Sequence, residues 1–212
     1  MSELFLSHLV ASTSLTERFT NWSVQVMETL GAPGAGLLIA LENIFPPLPS
    51  EVILPLAGFT ASKGNLGLVS AIIWTTAGSL VGALVLYYLG AWLGRDRIRA
   101  LVKKLPLMKV SDIDKTEHWF ATHQNQTVFW ARMVPIVRSL ISIPAGVERM
   151  PLQGFVIYTA AGSLVWNSAL ILAGYTLGEQ WHIVESYVGV LQYIVVGILI
   201  VLIAIFVYRR TR

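Results

Sequence analysis

The sequence predicts an all-α integral membrane protein: two oppositely oriented re-entrant helical hairpins in inverted repeats, about three spanning helices and amphipathic surface helices. Three observations carry that prediction. The 212 residues are 55% apolar and only 13% charged, with a mean hydropathy of +0.65, which is outside the range of soluble globular domains. Three stretches without a charge, 66–94, 151–178 and 186–208, each exceed the ~20 residues a spanning helix needs. Two further apolar stretches, 31–62 and 127–147, are interrupted near their midpoints by charge and proline.

Taken in chain order, residues 1–30 form an N-terminal segment in which Phe19, Trp22, Val26 and Leu30 recur at loosely helical spacing, as expected of an interfacial amphipathic helix. Glu3 and the lack of a basic stretch ahead of an apolar one argue against a secretory signal. In 31–62 the run Phe45-Pro46-Pro47-Leu48-Pro49 must break a helix, because proline lacks the amide donor and clashes with the preceding turn. Broken backbone at membrane depth is tolerated only where protein or a water-filled cavity satisfies it, so 31–62 is read as a hairpin that enters and leaves on one side. The spanning helix 66–94 follows. The connector 95–123 has Ile98, Leu101, Val102 and Leu105 on one face, a stop at Pro106, and Ser111 with Asp114 as a cap for a second surface helix. Its place is on the cytoplasmic leaflet. A second hairpin, 127–147, breaks at Pro135, and the spanning helices 151–178 and 186–208 complete the chain before a basic tail, 209–212.

Charge sets the expected topology. Seven of the fifteen Lys and Arg residues fall between Arg95 and Lys115, three more close the chain, and 179–185 carries two acids with no Lys or Arg. The positive-inside rule then places the connector and C-terminus in the cytoplasm and the first hairpin on the outer side. This clustering reads as topology, and no nucleic-acid partner is expected. Cysteine is absent, and His8, His118, His123 and His182 lack metal-ligand spacing; no metal or cofactor is expected.

The segment Ala77-Gly78-Ser79-Leu80-Val81 recurs as Ala161-Gly162-Ser163-Leu164-Val165, and Gly90 and Gly94 recur as Gly174 and Gly178. The hairpins end alike, in Ala57-Gly58 and Ala145-Gly146. Each half is thus a hairpin plus a spanning helix. The two helices run in opposite directions, which makes the halves inverted repeats, a pointer to transporters.

Four charges fall inside these broken segments: Glu42, Glu51, Arg132 and Arg138. A charge at the bilayer centre costs about 2.5–3.5 kcal/mol on insertion scales, and here two negative charges face two positive ones. Arg132 and Arg138 flank Pro135, whose break lets them converge, and guanidinium forks suit phosphate or carboxylate. A lipid-phosphate site is one reading; snorkelling to the cytoplasmic interface is the other. Glu42 and Glu51 suit proton binding or arginine pairing, since burial favours a neutral carboxyl. Alternatively, Glu51 caps a helix beginning at Val52 and Glu42 meets outer water. Asn167, in mid-helix, either bonds a partner helix or meets a ligand, and the glycines suit close helix packing.

The set Glu42-Asn43, Pro47-x-Pro49-Ser50-Glu51, Ala57-Gly58, Arg132-x-x-Pro135-x-x-Arg138 and Ala145-Gly146 resembles the DedA family of bacterial inner-membrane proteins, also called the VTT-domain superfamily. The resemblance covers roughly residues 31–178. Ser50-Glu51 departs mildly from the Gly-Asp common in the family. The resemblance implies paired re-entrant hairpins, functional roles for Glu42, Glu51, Arg132 and Arg138, and movement of phospholipids or undecaprenyl phosphate across the bacterial cytoplasmic membrane, linked to the proton motive force. The expected function is therefore a lipid flippase whose partners are the phosphate-bearing lipid and protons; the sequence sets no oligomeric state, and a homo-oligomer fits it. Two rivals remain. A proton-coupled small-cation or drug antiporter would need only the glutamates, and a membrane lipid phosphatase would need a nucleophile or metal set that the chain does not spell out.

Overall fold

The structure, a computed structural model, describes residues 19–45, 50–103, 110–135 and 137–177. Pro46, Pro47 and Pro49, the loop 179–185, the expected span 186–208 and the tail 209–212 lie outside the described residues. Every element within them is helical: α1 (19–30), α2 (Ala32–Ile44), α3 (Ser50–Ser62), α4 (Leu68–Lys103), α5 (Val110–Ala131), α6 (Val137–Leu140), α7 (Ser142–Val147) and α8 (Leu152–Leu177).

Among the described residues two helices are long and apolar enough to cross a bilayer, Leu68–Arg95 within α4 and Leu152–Leu177 in α8. Both turn apolar side chains outward, Val69, Ile73, Val81 and Val85 from one and Ile157, Leu164, Val165 and Leu172 from the other. Exposed apolar surface of that extent fits contact with hydrocarbon. The membrane part of α4 stops at Gly94, whose φ of 69° and ψ of 168° break the helix before it continues to Lys103. A side chain at 94 would be strained there, and glycine is not.

The broken segments separate as the prolines dictate. The 13-residue helices α2 and α3 each rise about 20 Å at 1.5 Å per residue, short of the ~30 Å hydrocarbon core. In the second segment α5 ends at Ala131, residues 132–135 turn, and the short helices α6 and α7 follow. α5 is two helical stretches joined across a kink at His123, whose φ of −124° and ψ of 17° are not helical; the first stretch begins at Val110. Ser111 accordingly lies inside the first turn and not ahead of it.

Packing exchanges the arms of the two broken segments between the long helices. α2 runs alongside α4, with Gly36 against Trp74 and Gly82 against Ala40 and Asn43, whereas α3 crosses α8, with Gly58 against Ile171 and Gly174 against Pro55. In the other half α5 runs alongside α8, with Gly154 against Asn125 and Gly162 against Phe129 and Arg132, while α7 crosses α4, with Gly146 against Tyr87 and Gly90 against Ile143. At both crossings the neighbour is a backbone carbonyl oxygen, which is why each carries glycine. α1 rests on the α2–α3 core through Phe19, Val26 and the buried Met27. Ser23 is buried, whereas Trp22 and Leu30 are exposed.

Candidate functional site

The ends of the broken helices bring three of the four predicted charges into the interior. Glu42, at 4% exposure, sits in the last turn of α2 beside Asn43, level with Gly82, about halfway along the α4 span. Arg132, at 1% exposure, lies just past α5 and packs on Gly162, about halfway along α8. Arg138, at 2% exposure, is carried by α6. Burial of charge at that depth needs partners.

Arg138 donates from Nη2 to Glu42 Oε2 at 3.2 Å, an ion pair with both side chains buried. Immediately beside it Ser139 Oγ donates to Asn43 Oδ1 at 3.2 Å, and Asn43 Nδ2 donates to the Ile39 carbonyl at 3.0 Å. Both cross-links join residues 96 apart in sequence; one register of pairing therefore fixes α2 against α6.

Arg132 is held differently. Its Nη2 donates to Ser142 Oγ at 2.8 Å and Thr159 Oγ1 at 3.3 Å, and its Cζ stands 5.9 Å from the Phe155 ring centroid. Among the described residues Nε and Nη1 of Arg132 and Nη1 of Arg138 have no hydrogen-bond partner. Arg132 lies within electrostatic reach of both Arg138 and Glu42. Two guanidiniums and one carboxylate thus leave excess positive charge and unpaired N–H groups in a buried place, which is the chemistry that receives an anion.

Glu51 lies in the first turn of α3, half-buried, where the helix dipole favours a carboxylate, and among the described residues α3 begins at Ser50. Glu42 still feels its charge. Pro135 lies in the turn between α5 and α6, as its chemistry requires. Asn167 donates from Nδ2 to Ser79 Oγ at 3.2 Å, which joins α8 to α4. Ser139, Ser142 and Thr159 were not singled out from sequence. Their only signal is a hydroxyl inside an apolar membrane segment, which marks interhelical bonding in general and no particular partner.

A helical membrane protein with short broken helices and buried opposite charges at mid-depth is the class that this geometry defines. The VTT domain matches residues 48–176. The chain belongs to that family, the DedA-family membrane proteins. It is 44% identical over 195 residues to a Lactococcus lactis protein named alkaline phosphatase-like protein, covering 88% of this chain and 91% of the relative. It is 32% identical over 199 residues to undecaprenyl phosphate transporter A of Bacillus subtilis, covering 94% and 96%, and 27% identical over 200 residues to protein DedA of Escherichia coli, covering 93% and 86%. No solved structure matches the chain.

Proposed function

We propose that this chain moves a phosphate-bearing lipid, undecaprenyl phosphate ahead of ordinary phospholipids, across the bacterial cytoplasmic membrane. The observation that carries the reading is the buried pair of arginines, one ion-paired with Glu42 and one bonded to neutral hydroxyls, both with N–H groups that have no partner among the described residues. The name of the Bacillus subtilis relative supports the choice of lipid.

In this reading Arg132 and Arg138 hold the phosphate and Glu42 competes for Arg138, with Glu51 adding negative charge nearby. A proton from outside neutralises Glu42 and frees Arg138 for the phosphate. Loss of that proton to the cytoplasm restores the ion pair and expels the lipid, so Arg138 has an anion against it in each state. The broken segments act as re-entrant hairpins, with Pro46, Pro47, Pro49 and Pro135 at the breaks, and the halves act as inverted repeats. In support, α2 and α3 are too short to span, the arms exchange between α4 and α8, and the crossings repeat glycine against carbonyl. The connector and C-terminus face the cytoplasm.

Purified protein in vesicles tests this. Movement of undecaprenyl phosphate, faster under an imposed pH gradient and faster than that of phospholipid, is the expected result. Proton flux on adding small cations or drugs, with neither lipid moved, contradicts it and favours antiport. The name of the Lactococcus relative favours one other reading, a lipid phosphatase; release of inorganic phosphate from the lipid by the purified protein would establish it instead.

A further inference from the structure

Arg132 and Arg138 are chemically alike and equally deep, yet their surroundings assign them different duties. Arg138 spends one Nη2 bond on a carboxylate 3.2 Å away. Arg132 spends its Nη2 on two neutral hydroxyls that come from different elements, Ser142 in the first turn of α7 and Thr159 within α8. Both hydroxyl residues are fully buried, and neither neutralises the charge it holds. A buried guanidinium held only by neutral groups is short of a counter-charge, and an anionic ligand supplies one.

The platform around it is rigid. Phe155 lies one helical turn before Thr159 on the same side of α8, under the guanidinium, and its ring is itself packed against Tyr87 at 4.8 Å between centroids. Tyr87 is tied in turn by its hydroxyl, which donates to the Met150 carbonyl at 2.6 Å. Arginine is a long side chain with many rotamers to lose. Two hydroxyl bonds on one nitrogen and a ring face remove that freedom before any ligand arrives, which is how preorganisation raises affinity. The nitrogens left over, Nε and Nη1, are the ones with no partner among the described residues.

We propose that Ser142 and Thr159 are positioning residues that tether Nη2 of Arg132 and aim its Nε and Nη1 at the lipid phosphate, which makes Arg132 the standing phosphate ligand and Arg138 the one released to it by Glu42. This rests on the lipid-phosphate reading above and adds the residues that set its affinity. It also explains why the two arginines have unlike neighbours: a ligand that must be ready needs neutral anchors, and a ligand that must be switched needs an acid.

The test uses the full chain purified in nanodiscs, with undecaprenyl phosphate as the probe, and reads Kd, then KM and kcat in vesicles. Thr159→Val keeps the shape and removes the acceptor; Ser142→Ala does the same at the other anchor. Each is expected to raise Kd and KM about tenfold, the scale of a hydrogen bond to a charged group, with kcat within about twofold. Thr159→Ser retains the hydroxyl and is expected to bind as the unaltered chain does. Asn167→Ala, which removes the bond to Ser79 elsewhere on α8, controls for loosened packing and is expected to leave Kd unchanged. Unchanged Kd in Thr159→Val, or a loss in Thr159→Ser equal to that in Thr159→Val, overturns the proposal while the lipid reading stands. Should Thr159→Val fail to fold, Ser142→Ala decides, and unchanged Kd there overturns it equally. Failure of the unaltered chain to bind the lipid phosphate instead overturns the reading beneath it.

Discussion

Replacing Glu42 by glutamine isolates the central ion pair. The side chain keeps its shape and its level beside Gly82 but loses its charge, so Arg138, at 2% exposure, keeps a full positive charge with no acid against it. Removing one partner of a buried pair costs about 3–5 kcal/mol. The pair here makes a single N–O contact at 3.2 Å with no second tine, which places the loss at the lower end, about 3 kcal/mol. Replacing both residues, as Glu42→Gln with Arg138→Met, removes the uncompensated charge and is expected to recover to within about 1 kcal/mol of the unaltered chain. Denaturant unfolding in detergent micelles, followed by the fluorescence of the seven tryptophans, measures all four corners of the cycle. The destabilisation by Glu42→Gln is also expected to shrink in acid, because a protonated Glu42 is itself neutral and the two proteins then carry the same charge. Single losses that simply add in the double variant, to within about 0.5 kcal/mol, would show that Glu42 and Arg138 do not interact and would refute the reasoning.

Other consequences follow from the same contacts. Gly146→Ala sets a methyl group against the Tyr87 carbonyl where α7 crosses α4; a loss of about 1–3 kcal/mol is expected in the same unfolding assay, and Gly94→Ala, in open space but at a φ and ψ that only glycine adopts readily, loses about 1–3 kcal/mol for backbone strain instead. The chain has no cysteine, so single replacements report sidedness cleanly: Leu30→Cys and Asn65→Cys, both exposed and flanking α2 and α3, are expected to react with an impermeant maleimide from the same side of sealed vesicles, and opposite sides would make that segment a true crossing. Breaking the ion pair of Arg95 with Glu148 at 2.5 Å, which ties the start of the connector to the end of α7, is expected to cost under about 1 kcal/mol by Arg95→Gln, because Arg95 is half exposed.

Much of this architecture is legible in the sequence because its signals are local. Uncharged runs of sufficient length mark α4 and α8, and proline marks the breaks on either side of the charges. Glu42, Arg132 and Arg138 stand out because charge within an apolar segment is expensive wherever the chain goes. What sequence does not carry is partnership. Nothing local couples Glu42 to Arg138 across 96 residues, distinguishes Arg132 from Arg138, or shows that Glu42 is buried where Glu51 is half-buried. Ser142 and Thr159 look like any other small polar residues until the fold brings α7 and α8 to one guanidinium.

The account stands most directly on the arginines. Arg132→Ala with Arg138→Ala, folded and reconstituted beside the unaltered chain, is to be compared for the transbilayer movement of undecaprenyl phosphate under a pH gradient. Loss of movement to the level of empty vesicles, with the protein still folded, is the predicted result. Movement at the rate of the unaltered chain would contradict the account and leave the buried guanidiniums as structural charges.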